Sequence, residues 1–199
     1  MLLHQFQKTQ PECGTDEAGR GCIAGPVTAA AVILPSHISA EVINDSKKLS
    51  AKQRREMSAY IKKNAIAYGI AHVPPEVIDK INILNASILA MHQSLDQLSV
   101  QPAFILVDGN KFKAYKNINH KCIIKGDQKY LSIAAASILA KQSRDDYMEK
   151  IHKQYPDYQW VNNKGYPTEI HRKIVHEAGR TEYHRKSFQL KEQLKLSFD

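Results

Sequence analysis

Asp16 and Glu17 stand side by side in Thr15-Asp16-Glu17-Ala18-Gly19-Arg20-Gly21, just ahead of the apolar run GPVTAAAVILP. Adjacent carboxylates repel each other, so a pair at the edge of a buried strand calls for a partner charge. Two further acids occupy similar places. Asp108 closes the apolar run FILVD and precedes Gly109, and Asp127 follows KCII in Lys125-Gly126-Asp127. An Asp-Gly step is also ordinary turn composition. Coincidence separates the two readings, because three strand ends bearing acids are less expected as decoration than one. In α/β sheets, ligands collect at strand ends. Carboxylates converging there need counter-charge, and hard oxygen donors with open water positions suit Mg²⁺ or Mn²⁺. Two such ions about 3.5–4 Å apart can clamp the attacking and leaving oxygens of an in-line displacement at phosphorus. Acids from distant points of a basic chain thus fit phosphodiester hydrolysis.

Gly19-Arg20-Gly21 adds a second group. Two glycines leave the backbone bare for close approach, and the Arg between them offers a planar donor fork to phosphate. A simple turn is the commoner meaning of such a triplet taken alone. In Lys164-Gly165-Tyr166-Pro167-Thr168 an exposed Tyr can stack on a base or sugar and Lys can meet phosphate; a loop whose Tyr packs on the body reads equally well. His184-Arg185-Lys186-Ser187-Phe188 and Asn44-Asp45-Ser46-Lys47-Lys48 carry the cations, hydroxyls and amides that grip phosphate backbones, or form solvated surface. Among nine histidines, His171 and His176 are five apart, His120 and His184 are isolated, and no HExxH occurs, so structural zinc is not expected.

The elements that must position these groups alternate along the chain. Strands are expected up to Asp16, over Thr28 to Leu34, over Ala67 to Val73, and in the runs ending at Asp108 and Ile124. Ser50 with Gln53 forms a capping box for a helix with a basic side. Pro74-Pro75 restarts helical sequence, and Asn82 caps a helix with apolar positions Leu84, Ile88, Met91, Leu95 and Leu98. LSIAAASILAKQSRDDYMEKIHKQY is the clearest helix, with a small-residue face of Ala134, Ala135, Ala136 and Ala140 suited to close packing on a sheet. Beyond Gly165 the chain reads as helical and basic, interrupted near Ala178-Gly179. The order argues α/β with a mixed sheet. One domain over 1–199 is expected, with residues from about 165 to 199 as a basic helical C-terminal extension.

Composition narrows the function classes. The chain has 199 residues with 28 Lys plus Arg against 20 Asp plus Glu, giving +8 and a pI near 9.3. That excess favours a polyanionic partner without requiring one. Cys13, Cys22 and Cys122 are odd in number and lack CxxC spacing, so reduced, mostly buried thiols are expected. The start holds no basic-then-apolar signal segment, and no apolar run approaches the ~20 residues of a bilayer span. A cytoplasmic protein is the expectation.

TDEAGRG, NDSKKLS, INILNAS, VDGN, KGD followed by SIAAASILAKQSRD, NKGYPT and HRKSF occur in order from Gly14 to Phe188. Together they resemble bacterial ribonuclease HII, the type 2 ribonuclease H. The resemblance implies a ribonuclease H-like fold with a mixed central sheet flanked by helices. It implies an endoribonuclease, a phosphodiester hydrolase acting on RNA in RNA–DNA hybrids with Mg²⁺ or Mn²⁺. Such an enzyme nicks 5′ to a single embedded ribonucleotide, leaving a 3′-hydroxyl and a 5′-phosphate, as ribonucleotide excision repair requires. Position by position, Asp16, Glu17, Asp108 and Asp127 match the metal-binding catalytic carboxylates. Gly19, Arg20 and Gly21 match the loop that reads the ribose 2′-hydroxyl, and Tyr166 matches the tyrosine stacking at the RNA–DNA junction. Lys47, Lys164, Arg185 and Lys186 join the expected substrate contacts. Cys22 departs from the family's usual proline after the triplet, which is expected to loosen the turn modestly.

Ribonuclease HIII is the nearest rival, expected to carry GKG and an extra N-terminal domain, whereas here only 15 residues precede Asp16 and the loop reads GRG. A non-catalytic hybrid-binding module is disfavoured by the intact acids, which weaken mere binding near phosphate. Gln193-Leu194-Lys195-Leu196-Ser197-Phe198 resembles the peptide that docks on the bacterial sliding clamp, with an amphipathic last helical turn as the plain alternative. A monomer is expected.

Overall fold

A strand covered on both faces needs apolar residues at consecutive positions, and the Val27–Ile33 run has them: all its residues are buried. The structure is a computed structural model that describes residues 2–7, 11–39, 43 and 49–190. Strands β1 (Glu12–Ala18), β2 (Val27–Ile33), β3 (Ala67–Val73), β4 (Phe104–Asp108) and β5 (Asn119–Ile123) form one sheet in the order β3-β2-β1-β4-β5. β2 runs antiparallel to β1 and β3, whereas β4 runs parallel to β1 and β5. The expected mixed sheet is what forms. Strand β1 continues two residues past Asp16, so both acids of the pair lie within it and point to opposite faces.

Helices cover both faces. On one side, α2 (Pro75–Asp96) packs Ile78, Ala86, Ala90, Met91 and Leu95 against Cys13, Ala29, Ala31, Ile105 and Val107. On the other, α3 (Leu131–His152) packs its alanines against Ala30 and Val32, with Ile61 of α1 (Ala51–Asn64) behind. The capping box at Ser50 forms as expected, Gln53 N donating to Ser50 Oγ and Ser50 N to Gln53 Oε1. The basic side of α1 is tied down in part: Arg54 Nη2 lies 2.6 Å from Asp145 Oδ2 on α3. Asn82 leaves the helical conformation within α2, and its Oδ1 accepts from Asn85 N at 3.1 Å, restarting the helix there as a cap does.

Past α3 come α4 (Trp160–Asn163) and α5 (Glu169–Ala178). Helical sequence was expected to resume beyond Gly179, but the described residues 180–190 form turns instead. Side-chain bonds to the backbone replace helical ones there. Thr181 N donates to His184 Nδ1, and Arg180 donates to the carbonyls of Arg185, Lys186 and Phe188. The cysteines are free, with Cys13 and Cys22 buried and Cys122 half-buried. Among the described residues no helix is long and apolar enough to cross a membrane.

Candidate active site

The register of β1 and β4 brings the acids together. Thr15 lies beside Val107 in the parallel pair, so the next residues, Asp16 and Asp108, emerge at the same level of neighbouring strands. Both share the face with Gly14 and Leu106, the face that α3 covers. Gly14 allows the approach: a Cβ there would lie 2.2 Å from the Ser132 carbonyl carbon. The helix therefore lies directly on β1 and buries Asp16 to 6% exposure. Burial, with repulsion from Glu17 and Asp108, pushes the Asp16 carboxyl up to about 8. Ser137 Oγ of α3, beside Asp16, is buried without a well-formed hydrogen bond.

Glu17 points to the other face, into a small cleft lined by Arg20, Ser87, Met91, Asp108 and Asn110. Its Oε1 lies 3.0 Å from Arg20 Nη1, while its Oε2 is buried with no hydrogen-bond partner. Burial raises its pKa, and the Arg20 guanidinium opposes that rise. Asp108 Oδ1 accepts from Gly126 N at 2.6 Å, fastening the short 3-10 turn Gly126–Gln128 to the end of β4. That turn carries Asp127, buried at 7% exposure. Among the described residues no three acid, imidazole or thiol side chains are arranged, as they stand, to hold a metal ion. The acids form an open array. The orphaned Glu17 oxygen and the Asp16 carboxyl, raised by burial and by two neighbouring acids, are hard oxygen donors short of positive charge, and these residues fit a divalent ion.

The Gly19–Gly21 turn begins where β1 ends. Gly19 has φ +89, and a Cβ on it would collide with Arg144 Nε at 2.0 Å; Gly21 faces open space. Two buried guanidiniums form the floor. Arg185 donates from Nη2 to Gly19 O at 2.8 Å, from Nη1 to Arg20 O at 3.0 Å, and from Nε to Gly25 O at 3.0 Å. Arg144 donates to the carbonyls of Pro26, Ala24 and Lys164. Arg185 was expected among the substrate contacts; the structure buries it completely beneath the loop, where three carbonyls occupy its donor fork.

The second loop lies alongside. Ile23 N and Ala24 N donate to Gly165 O, and Cys22 Sγ sits 3.7 Å from Lys164 O and also meets Tyr166. The Tyr166 ring is half exposed beside the triplet, and Arg20 is exposed. Lys164 Nζ pairs with Glu149 at 3.0 Å, whereas the Lys186 side chain is exposed. Lys47 lies outside the described residues, as does the tail from 191 onward. Sequence reasoning missed Arg144, which sits inside the motif SIAAASILAKQSRD, and the contact of His171 with His184, which look unrelated along the chain.

The family model described as Ribonuclease HII matches residues 13–191. A ribonuclease HII from Christiangramia forsetii is 61% identical, the alignment covering 99% of this chain and all of that protein. The ribonuclease H2 from Pyrococcus horikoshii OT3 superposes with a TM-score of 0.77 at 23% identity, covering 89% of this chain and 93% of its own. Ribonuclease HII from Archaeoglobus fulgidus, solved in complex with PCNA, gives 0.73 at 23% identity over 92% and 98% of the two chains.

Proposed function

The chain belongs to the ribonuclease HII family and is an endoribonuclease of the ribonuclease H class, and from that premise we propose its substrate, its cut and its ion. It hydrolyses the RNA strand of RNA–DNA hybrids and nicks duplex DNA on the 5′ side of a single embedded ribonucleotide. The nick leaves a 3′-hydroxyl and a 5′-phosphate, and Mg²⁺ or Mn²⁺ supports it. The observation carrying this reading is the convergence of Asp16 and Asp108 beside the orphaned Glu17 Oε2, with the Gly19–Gly21 turn leaving directly from that strand end.

Asp16, Glu17, Asp108 and Asp127 are the residues that would hold the divalent ion, which when bound neutralises the acids and polarises the scissile phosphate. Arg185 and Arg144 fix the floor, so Gly21 offers its bare backbone at a set position to a ribose 2′-hydroxyl, the group that distinguishes RNA from DNA. Arg20, paired with Glu17 in the free protein, is the fork available to the adjoining phosphate. Tyr166 offers its ring to the neighbouring sugar, and Lys164 and Lys186 offer charge to the backbone. Lys47 is proposed as a further backbone contact on its sequence motif alone. In the displacement, a water oxygen bonds to phosphorus as the bond to the 3′ oxygen breaks. The water gives up a proton as it bonds, and the 3′ oxygen takes one up and leaves as the 3′-hydroxyl, so no net proton is consumed in the displacement.

The test is a DNA duplex with one ribonucleotide, incubated with Mg²⁺ or Mn²⁺ and mapped at its ends, with Asp108→Asn and an all-DNA duplex as controls. A nick 5′ to the ribonucleotide that needs the ion and is absent from both controls is expected. Tight binding without any nick under either ion would overturn the reading. We further propose that Gln193–Phe198 docks on a sliding clamp, supported by its sequence and by the PCNA complex of the Archaeoglobus protein. Unaltered clamp binding after deletion of Gln193–Asp199 would defeat it.

A further inference from the structure

Tyr155, Tyr158, Trp160 and Tyr183 enclose two imidazoles, His171 at 0% exposure and His184 at 2%. The ring nitrogens lie 3.3 Å apart, Nε2 to Nε2. Their partners settle the protons. His171 Nδ1 faces the Tyr166 carbonyl oxygen at 2.8 Å, an acceptor, so Nδ1 carries the hydrogen. His171 Nε2 accepts from Trp160 Nε1 at 3.1 Å. His184 Nδ1 accepts from Thr181 N at 2.9 Å, so its hydrogen sits on Nε2 and points at His171 Nε2. With both rings neutral every nitrogen has a partner, His171 Nε2 sharing its lone pair between Trp160 and His184.

The pair touches both halves of the proposed ribose-reading surface. His171 holds the backbone of Tyr166. His184 is bridged to Ala24 and precedes Arg185, whose guanidinium pins Gly19 and Arg20. We propose that His171 and His184 are positioning residues for this surface: as a neutral pair they fix Tyr166 against the Gly19–Gly21 turn, and protonating either ring releases that alignment. The inference rests on the reading that Tyr166 and the turn meet the ribonucleotide.

A proton added at His171 Nε2 would face the N–H groups of Trp160 and His184. One added at His184 Nδ1 would face the Thr181 amide, with the Thr181 hydroxyl at 3.0 Å as the one oxygen in reach. Neither ring has a carboxylate among its hydrogen-bond partners. The charged group facing the pair is Arg180, which repels a second positive charge, while the hydroxyl of Tyr158 is bonded to the Gly179 carbonyl and that of Tyr155 to Glu182. Burial lowers the pKa of both rings, His184 to about 4 with His171 and Arg180 adding to it. The alignment therefore holds at neutral pH and fails on acidification.

Trp160 is the chain's single tryptophan, so its emission reports on this network alone. The experiment follows emission from pH 8 to 4, together with binding of a duplex carrying one ribonucleotide and its kcat and KM at pH 8. Wild type, Tyr166→Ala, His171→Ala, His171→Asn and the His171→Asn/His184→Asn double variant are compared. An Asn amide can donate to the Tyr166 carbonyl as Nδ1 does but does not titrate. Expected are an emission step below pH 6 in wild type that vanishes in the double variant, and weaker binding across that step in wild type only. Expected too is a KM raised about three- to tenfold in His171→Ala with kcat within about twofold, the size of one lost hydrogen bond, restored by His171→Asn. A step persisting in the double variant would overturn the inference. So would an unchanged KM in His171→Ala while Tyr166→Ala raises it. If Tyr166→Ala itself leaves KM unchanged, the failure lies in the underlying reading of Tyr166 instead.

Discussion

Asp16 and Arg185 are both buried ionisable side chains on the same working surface, at 6% and 0% exposure, but their surroundings are opposite in kind. Asp16 faces two other acids and holds its proton up to about 8. Arg185 is drawn down by burial to about 10, which leaves it charged at neutral pH, and all three of its side-chain nitrogens donate to carbonyls. At the strand ends the protein keeps like charges close and incompletely paired. Beneath the Gly19–Gly21 turn each of the three guanidinium nitrogens donates to a backbone carbonyl. An unbalanced cluster can take up a cation and a substrate phosphate, whereas a buried cation bonded to the backbone through every nitrogen holds a shape. Binding chemistry and rigidity are thus assigned to adjacent but separate groups.

The comparison can be broken at either end. Asp108→Asn is expected to cut ion-dependent cleavage about a thousandfold, roughly 4 kcal/mol of transition-state stabilisation, while thermal unfolding shows no loss of stability because a repulsion is removed. A destabilised Asp108→Asn would show that the cluster serves the fold. Arg185→Ala should do the reverse in kind, lowering stability by about 3 kcal/mol because buried carbonyls lose their donors. Arg185→Lys, which keeps charge but not the fork, should recover part of the stability and little of the discrimination between RNA- and DNA-containing duplexes. Unchanged melting in Arg185→Ala would remove the floor from the argument.

The acids also set a pH dependence. The folded carboxyl of Asp16 titrates near 8 and the unfolded one in the ordinary carboxylate range, so between them the unfolded state binds fewer protons and rising pH weakens folding. A divalent ion should reverse this, raising the melting temperature more at pH 8 than at pH 5.5. The gain approaches about 2.7 kcal/mol at a hundredfold excess over the dissociation constant. Equal shifts at both pH values, or none, would separate the ion from these carboxylates. Cys22→Pro should change least. It forfeits only the long 3.4 Å bond from Cys22 N to Gly19 O and the sulfur contacts, so the mapped cut is expected not to move.

Much of the layout was legible along the chain because its signals are local. Ala67–Val73 alternates, Ser50 and Gln53 complete a capping box within one turn, and Asn82 restarts a helix through its own side chain. The apolar run FILVD placed Asp108 at a strand end, Asp16 was expected to close the first strand although β1 runs on to Ala18, and the motif order pointed to the family that the match over residues 13–191 establishes. Residues 180–190 were misjudged because a basic, helix-compatible composition does not reveal side chains that bind backbone carbonyls. Arg185 was misplaced for a related reason: a cation beside Lys186 reads as surface until the fold puts it under a loop 166 positions away.

Sequence by itself determined which chemistry is available: the carboxylates, the bare triplet between β1 and the next strand, and the aromatic loop, each encoded within a few residues. Tertiary structure alone decided what those groups experience. Parallel pairing of β1 with β4 sets Asp16 beside Asp108, the close approach of α3 at Gly14 removes water from Asp16, and residues 144 and 185 meet under one turn. Burial and long-range contact are properties of the packed chain, and it is they that shift a pKa, orphan an oxygen or anchor a guanidinium on backbone carbonyls.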